Sequence, residues 1–237
     1  MLGGLFYWRL RLPDGADKAA FIRANTRIDS VPLVPEIQLY QADETTTIWQ
    51  ATEDDLNHIG LPAPFWAFAW AGGQALARYL LDHRDVVRGR RVLDVASGSG
   101  LVALAAAHAG AARVYANEID PFACCAIGLN AALNKRHDII TVLPMDLLDD
   151  HADMVLPADI ITAGDVCYEA PMAARMVPWL RRHAARGATV LLADPGRAYL
   201  PQHGLTALAE LQVPIMADLE DQQIRTTTVW QVAATGF

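Results

Sequence analysis

Four acids in this chain stand where a carboxylate needs a use. Asp94 lies inside a short apolar stretch, VLDVA at 92–96, just ahead of the turn SGSG at 97–100 and the alanine-rich run that starts at Leu101. The pattern predicts a buried strand, a glycine-rich turn and a helix whose first N–H groups face outward at that turn, which together form a cradle for a small-molecule cofactor. Gly98, Gly100 and Ala103 satisfy G-x-G-x-x-G/A, the dinucleotide pattern, but Asp94 sets negative charge beside the place of a pyrophosphate and suits a cofactor that carries positive charge. Ser97 shares that loop. Glu118, with Ile119 next to it, ends the next predicted strand at 112–120 and is placed to accept hydrogen bonds from ribose hydroxyls. Asp146 follows a third strand, DIITVLP, where it reads equally as a partner for an adenine amino group or as a turn acid. Asp165 stands in GDVCYE, at the carboxyl end of a fourth strand, with Tyr168 three residues on. A buried carboxylate there is costly unless paired, whether with a cofactor ammonium, an incoming substrate amine or a backbone cap.

The elements that would position these acids follow in order. Residues 14–27 read as a capped short helix, and residues 31–55 as extended structure that Pro32 and Pro35 restrict to an edge or arm. Residues 1–60 thus form a small N-terminal extension, and 61–237 the main domain. The block PAPFWAFAW carries Phe65, Trp66, Phe68 and Trp70, more rings than a helix start needs. It reads as a hydrophobic plug or as a lid whose rings face a cation. Helices are expected over QALARYLLDH, over FACCAIGLNAALN with Asp120 and Pro121 at its start, and over MAARMVPWLRRHAARG, ended by Gly187, with its arginines as a solvated face. ATVLLADPGRAYLP supplies a fifth strand with a polar end, Asp194 to Arg197. LTALAELQ is expected as a helix, and VPIMADLE with QQIRTTTVWQVAA as a closing strand pair. TTTIWQ at 45–50 and TTTVWQ at 226–231 read as similar strands. Five strand-helix repeats and a strand pair make an α/β fold: a Rossmann-like, seven-strand, mostly parallel, doubly wound sheet with an antiparallel C-terminal hairpin.

At 237 residues, with 53% hydrophobic residues and a formal net charge of −8, the chain is long enough for a sizeable core and argues against a nucleic-acid surface. No apolar run reaches the ~20 residues that cross a bilayer. The opening MLGGLFYWRLRL lacks a cleavage site and is not taken as a signal peptide. Three cysteines, two of them adjacent at Cys124 and Cys125, give neither a disulfide framework nor a metal pair, so no metal is expected and the reading is intracellular.

The spacing D-x-x-x-G-x-G from Asp94 to Gly100 resembles motif I of the class I methyltransferases, which use S-adenosylmethionine. Further segments narrow the resemblance: PEIQL (35–39), FWAFAWAGGQALARYLLD (65–82), VVRGRRVLDVASGSG (86–100), ANEIDP (116–121), GDVCYE (164–169), DPGR (194–197) and TTTVW (226–230). Together they are similar to the bacterial and mitochondrial enzymes that methylate lysines of the electron transfer flavoprotein β subunit. The resemblance implies that Asp94, Ser97, Gly98 and Gly100 form the cofactor loop, Glu118 the ribose clamp and Trp70 an aromatic wall. It also implies that Asp165 and Tyr168, a D-x-x-Y signature, handle the lysine. Ala96 stands where many class I enzymes have glycine, and Glu118 where aspartate is frequent. The expected partner is that flavoprotein subunit, with no nucleic acid and no membrane, in the cytoplasm of a bacterium or the mitochondrial matrix of a eukaryote. A ribosomal-protein (L11-type) or small-amine N-methyltransferase, an NAD-dependent oxidoreductase and a non-catalytic flavoprotein-binding module are the alternatives.

Overall fold

A computed structural model describes residues 17–43, 46, 48, 63–149, 158–214 and 224–234. The opening dodecapeptide, most of TTTIWQ and most of VPIMADLE lie outside them. Asp17 caps the first helix, α1 (Lys18–Asn25), by accepting from the amide of Ala19 at 2.9 Å. The chain then makes a separate antiparallel hairpin from β1 (Arg27–Val31) and β2 (Val34–Gln41); Pro35 is tolerated because a two-stranded sheet has only edges. A 3₁₀ turn at Phe65–Ala67 leads into α2 (Ala71–Asp82).

The alternation that follows is β3 (Arg91–Val95), α3 (Leu101–His108), β4 (Arg113–Glu118), α4 (Pro121–Leu133), β5 (Ile140–Pro144), β6 (Ile160–Gly164), α5 (Ala170–Ala185) and β7 (Thr189–Asp194). Two strands close the chain, β8 (Leu205–Pro214) and β9 (Ile224–Val232). The seven-stranded sheet runs β5-β4-β3-β6-β7-β9-β8, parallel from β5 to β7, with β9 antiparallel to both neighbours. The direction of winding reverses between β3 and β6, and a cleft opens at the strand carboxyl ends beside such a reversal.

Central strands are buried on both faces, so β3, β6 and β7 read as apolar runs rather than alternations. Leu76 and Leu80 of α2 and Val102 and Leu104 of α3 fill one face; Met176, Trp179 and Leu180 of α5 fill the other against Leu93, Ile161 and Leu192. Helix α3 is buried from Leu101 to Ala107, which is why its sequence shows no polar stripe. Val34, Ile37 and Leu39 of the hairpin join the same core as α2 and α3. Buried amides fasten it there: Asn130 of α4 accepts from the Tyr40 amide at 2.9 Å and donates to the Ser99 carbonyl at 2.8 Å.

One element departs from expectation. LTALAELQ is strand, not helix: Ala209, Leu211 and Val213 of β8 pair with Val229, Thr227 and Arg225 of β9, and Val213 is fully buried. Its leucines at 205, 208 and 211 mimic helical spacing because of an irregularity between Ala207 and Ala209, which leaves Leu208 exposed. Sheet pairing overrides the local helical pattern here.

Candidate active site

At the carboxyl ends of the parallel strands lies a cavity of about 600 Å³. Trp70, Gly98, Glu118, Ile119, Asp146, Asp165 and Tyr168, all singled out from the sequence, line it. Asp94, Ser97 and Gly100 do not; they shape the loop from beneath.

Asp94 is buried, 1% exposed. Its carboxylate accepts from the Ser97 hydroxyl just above it and from the Thr162 hydroxyl of β6 at 2.8 Å, the residue opposite it in the sheet. Burial pushes its pKa up to about 6 against the pull of both hydroxyls. Above this brace the loop turns through Ala96 and Gly98, at φ +50° and +55°. A Cβ on Gly98 would meet nothing within 4 Å, so the backbone there borders open space that a ligand can approach closely. Ala96 keeps a methyl in the same left-handed region, strained relative to glycine.

Glu118, at the end of β4, bridges this loop to the next: one carboxylate oxygen accepts from the Gly98 amide at 3.0 Å, the other from the amides of Ile119 at 2.7 Å and Asp120 at 3.2 Å. Asp120 caps α4 through the Phe122 amide, as its neighbour Pro121 suggested. Asp146 accepts from the Leu148 amide and from Arg175 of α5, both at 2.9 Å. Burial opposes ionisation there, but Arg175 and that amide hold its pKa below the ordinary value.

Asp165 sits at the end of β6 with φ +54°, a conformation that aspartate tolerates better than most residues. One oxygen accepts from the Gly73 amide at the N-terminus of α2, at 3.0 Å; the other faces the Arg197 guanidinium at 3.2 and 3.4 Å. Burial pushes Asp165 up to about 6, with Arg197 pulling down and Asp194 pushing up. There is no room for a side chain beside it. A Cβ on Gly72 would lie 2.5 Å from the Ala193 carbonyl and 2.6 Å from an Asp165 oxygen.

The aromatic block divides between the expected plug and a wall of the cavity. Trp66, 3% exposed, packs its ring parallel to Phe122 and plugs the core beside α4, whereas Phe65 lies 5.9 Å from Trp70 and 5.6 Å from Tyr168 to form a wall of the cavity. Trp70 is fixed by its indole N–H donating to the Phe65 carbonyl at 2.8 Å. Three polar residues that hold the site's acids were given no such role from the sequence: Thr162 beneath the loop, Arg175 at Asp146, and Arg197 at Asp165, which was read only as part of a polar strand end and of the DPGR segment. Their partners are 68, 29 and 32 residues away in the chain, so only the sheet register reveals them.

A seven-stranded sheet of this order, with a glycine cradle after β3 and acids closing β4 and β6, defines a class I methyltransferase. The fold is shared with precorrin-6y C5,15-methyltransferase from Geobacter metallireducens, at TM-score 0.51 and 13% identity over 68% of this chain and 89% of that one. Residues 74–192 match the family model described as ribosomal protein L11 methyltransferase (PrmA). The electron transfer flavoprotein beta subunit lysine methyltransferase of Homo sapiens is 38% identical over 89% of this chain and 80% of its own length. The Xenopus laevis protein of that name is 38% identical over 89% of this chain and 85% of its own. The chain belongs to the electron transfer flavoprotein beta subunit lysine methyltransferase family.

Proposed function

We propose that this methyltransferase uses S-adenosylmethionine to methylate lysine side chains of the β subunit of electron transfer flavoprotein. The substrate reading rests on the names of its relatives; the observation in the structure that carries the chemistry is the pairing of Asp165 with an aromatic-walled cavity.

The lining fits a cationic donor. Five carboxylates, from Glu118, Asp120, Asp146, Asp165 and Glu169, face two guanidiniums, Arg175 and Arg197, each already paired with one of them. The open space over Gly98 suits a ligand pressed against backbone, and Glu118 beside it suits ribose hydroxyls. When bound, S-adenosylmethionine supplies a methyl group on a positively charged sulfur. Gly98, Glu118, Ile119, Asp146 and Trp70 would hold it.

The remaining task falls to the acceptor end. A lysine amine with its ordinary pKa near ~10.4 is almost wholly protonated at neutral pH. Phe65, Trp70 and Tyr168 surround the lysine stem with apolar surface, which disfavours the charged amine and releases its proton to solvent. Asp165 keeps lone pairs beyond those used by Gly73 and Arg197, and through them it accepts an N–H of the amine and aims the nitrogen lone pair. Tyr168, 37% exposed, guards the mouth.

Mass spectrometry of electron transfer flavoprotein incubated with this protein and the donor tests the reading. Whole-methyl increments on lysines of the β subunit are expected. The L11 family match makes ribosomal protein L11 the control: methylation there and not on the flavoprotein replaces the proposed substrate.

A further inference from the structure

The segment DPGR, residues 194–197, brings Arg197 to the lining of the cavity. Asp194 is buried at the end of β7, and one of its oxygens accepts from the amides of Gly196 at 2.8 Å and Arg197 at 2.6 Å. This tight turn folds the chain back so that Arg197, leaving β7, reaches the end of β6. Its guanidinium faces Asp165 and lies over the Trp70 ring, 5.9 Å from the centroid. We propose that Arg197 is a positioning residue that keeps the Asp165 carboxylate charged and aimed at the incoming amine. This rests on the reading of Asp165 given above.

Geometry separates this role from that of a plain structural tie. A charge-assisted contact between guanidinium and carboxylate commonly closes to about 2.7–2.9 Å. Arg197 stands off at 3.2 and 3.4 Å, both contacts falling on one oxygen, and both residues line the cavity. The Gly73 amide grips the other oxygen, so the carboxylate plane is set from two sides.

The charges around Asp165 explain why a cation is required. From β7 come Asp194, which pushes its pKa up, and Arg197, which pulls it down. From α2 comes the N-terminal amide of Gly73 with the neutral ring of Trp70. From its own loop come Cys167 and Tyr168, both pushed up by burial and so neutral, and then Glu169; Glu118 faces Tyr168 from β4. Among the described residues, Arg197 is the cation that faces Asp165, set against Asp194. Burial already raises Asp165 to about 6 with Arg197 in place, and without it the carboxylate would hold its proton at neutral pH and could no longer accept from the amine.

The test is the pH profile of kcat for the full-length protein with saturating donor and flavoprotein, in wild type, Arg197→Gln, Arg197→Lys and Asp165→Asn. Arg197→Gln is expected to move the acid limb upward by about two pH units, losing about tenfold near pH 7 and recovering at high pH. Arg197→Lys should restore the wild-type limb because it keeps the cation without the fork, and it serves alone if the glutamine variant does not fold. A glutamine profile lowered by one factor at every pH, or unchanged, or a lysine profile shifted as far as that of glutamine, overturns the proposal. Full activity of Asp165→Asn would instead overturn the role of Asp165 itself, so the two failures are distinct.

Discussion

The two ends of one sheet each carry an aspartate-arginine pair, and they differ in burial, in spacing and in the direction of the acid's pKa shift. At the amino ends of β3 and β6, Asp159 holds Arg91 in a fork with contacts of 2.7, 2.9 and 3.1 Å, in partial contact with water. That fork holds the Asp159 pKa down to about 2. At the carboxyl ends, Asp165 and Arg197 are more deeply buried and farther apart, and burial raises the acid to about 6. The first pair faces water and fastens two strands far from the cavity. The second keeps acceptor capacity at a cost in stability, and a cost retained where the cavity opens marks the end of the sheet that works.

The comparison breaks most visibly at Gly72. Gly72→Ala places a methyl against the Ala193 carbonyl and Asp165, and overpacking at such a site costs about 1–3 kcal/mol. A lower denaturant midpoint together with loss of methylation is expected; wild-type values of both would mean that the helix N-terminus does not grip Asp165.

Asp165→Asn sharpens it through stability. A carboxylate whose folded pKa lies above its unfolded value penalises folding above about 6, and the penalty is relieved as pH falls through about 6 toward 3.8. The asparagine variant, free of this term, should melt higher than wild type at neutral pH by an amount on the order of 1 kcal/mol, with the advantage shrinking in mild acid. Thermal melts across that range check it.

Asp159→Asn should do the reverse, and least. Asp159 has a depressed pKa, so its contribution is present above about 3.8 and lost as pH falls toward about 2. A small drop in melting temperature at neutral pH, vanishing in acid, is expected with kcat unchanged, because the pair is at the far end of the sheet from the cavity.

The strand-turn-helix around Asp94 was legible because an acid inside an apolar run, followed by glycines, has few other uses. Asp165 was legible because it follows an apolar run at a strand's carboxyl end, where a buried acid is costly unless paired. What Asp94 does was not: it braces the loop from below through Ser97 and Thr162, and Thr162 is reached only through the pairing of β3 with β6. The pairings of Arg197 and Arg175 escaped because Asp165 and Asp146 follow the ends of other strands, 32 and 29 residues away in the chain. β8 escaped because its irregularity gave leucines a helical spacing that pairing with β9 overrode.

The central claim is a division of labour within one cavity, with the Glu118 side holding the donor and the Asp165 side handling the amine. Calorimetric titration of Asp165→Asn with S-adenosylmethionine, alongside its turnover on the flavoprotein, tests it directly. The account predicts donor affinity within a few-fold of wild type and a fall in kcat of about a thousandfold, worth about 4 kcal/mol. Donor binding lost with turnover, or turnover kept, would contradict it.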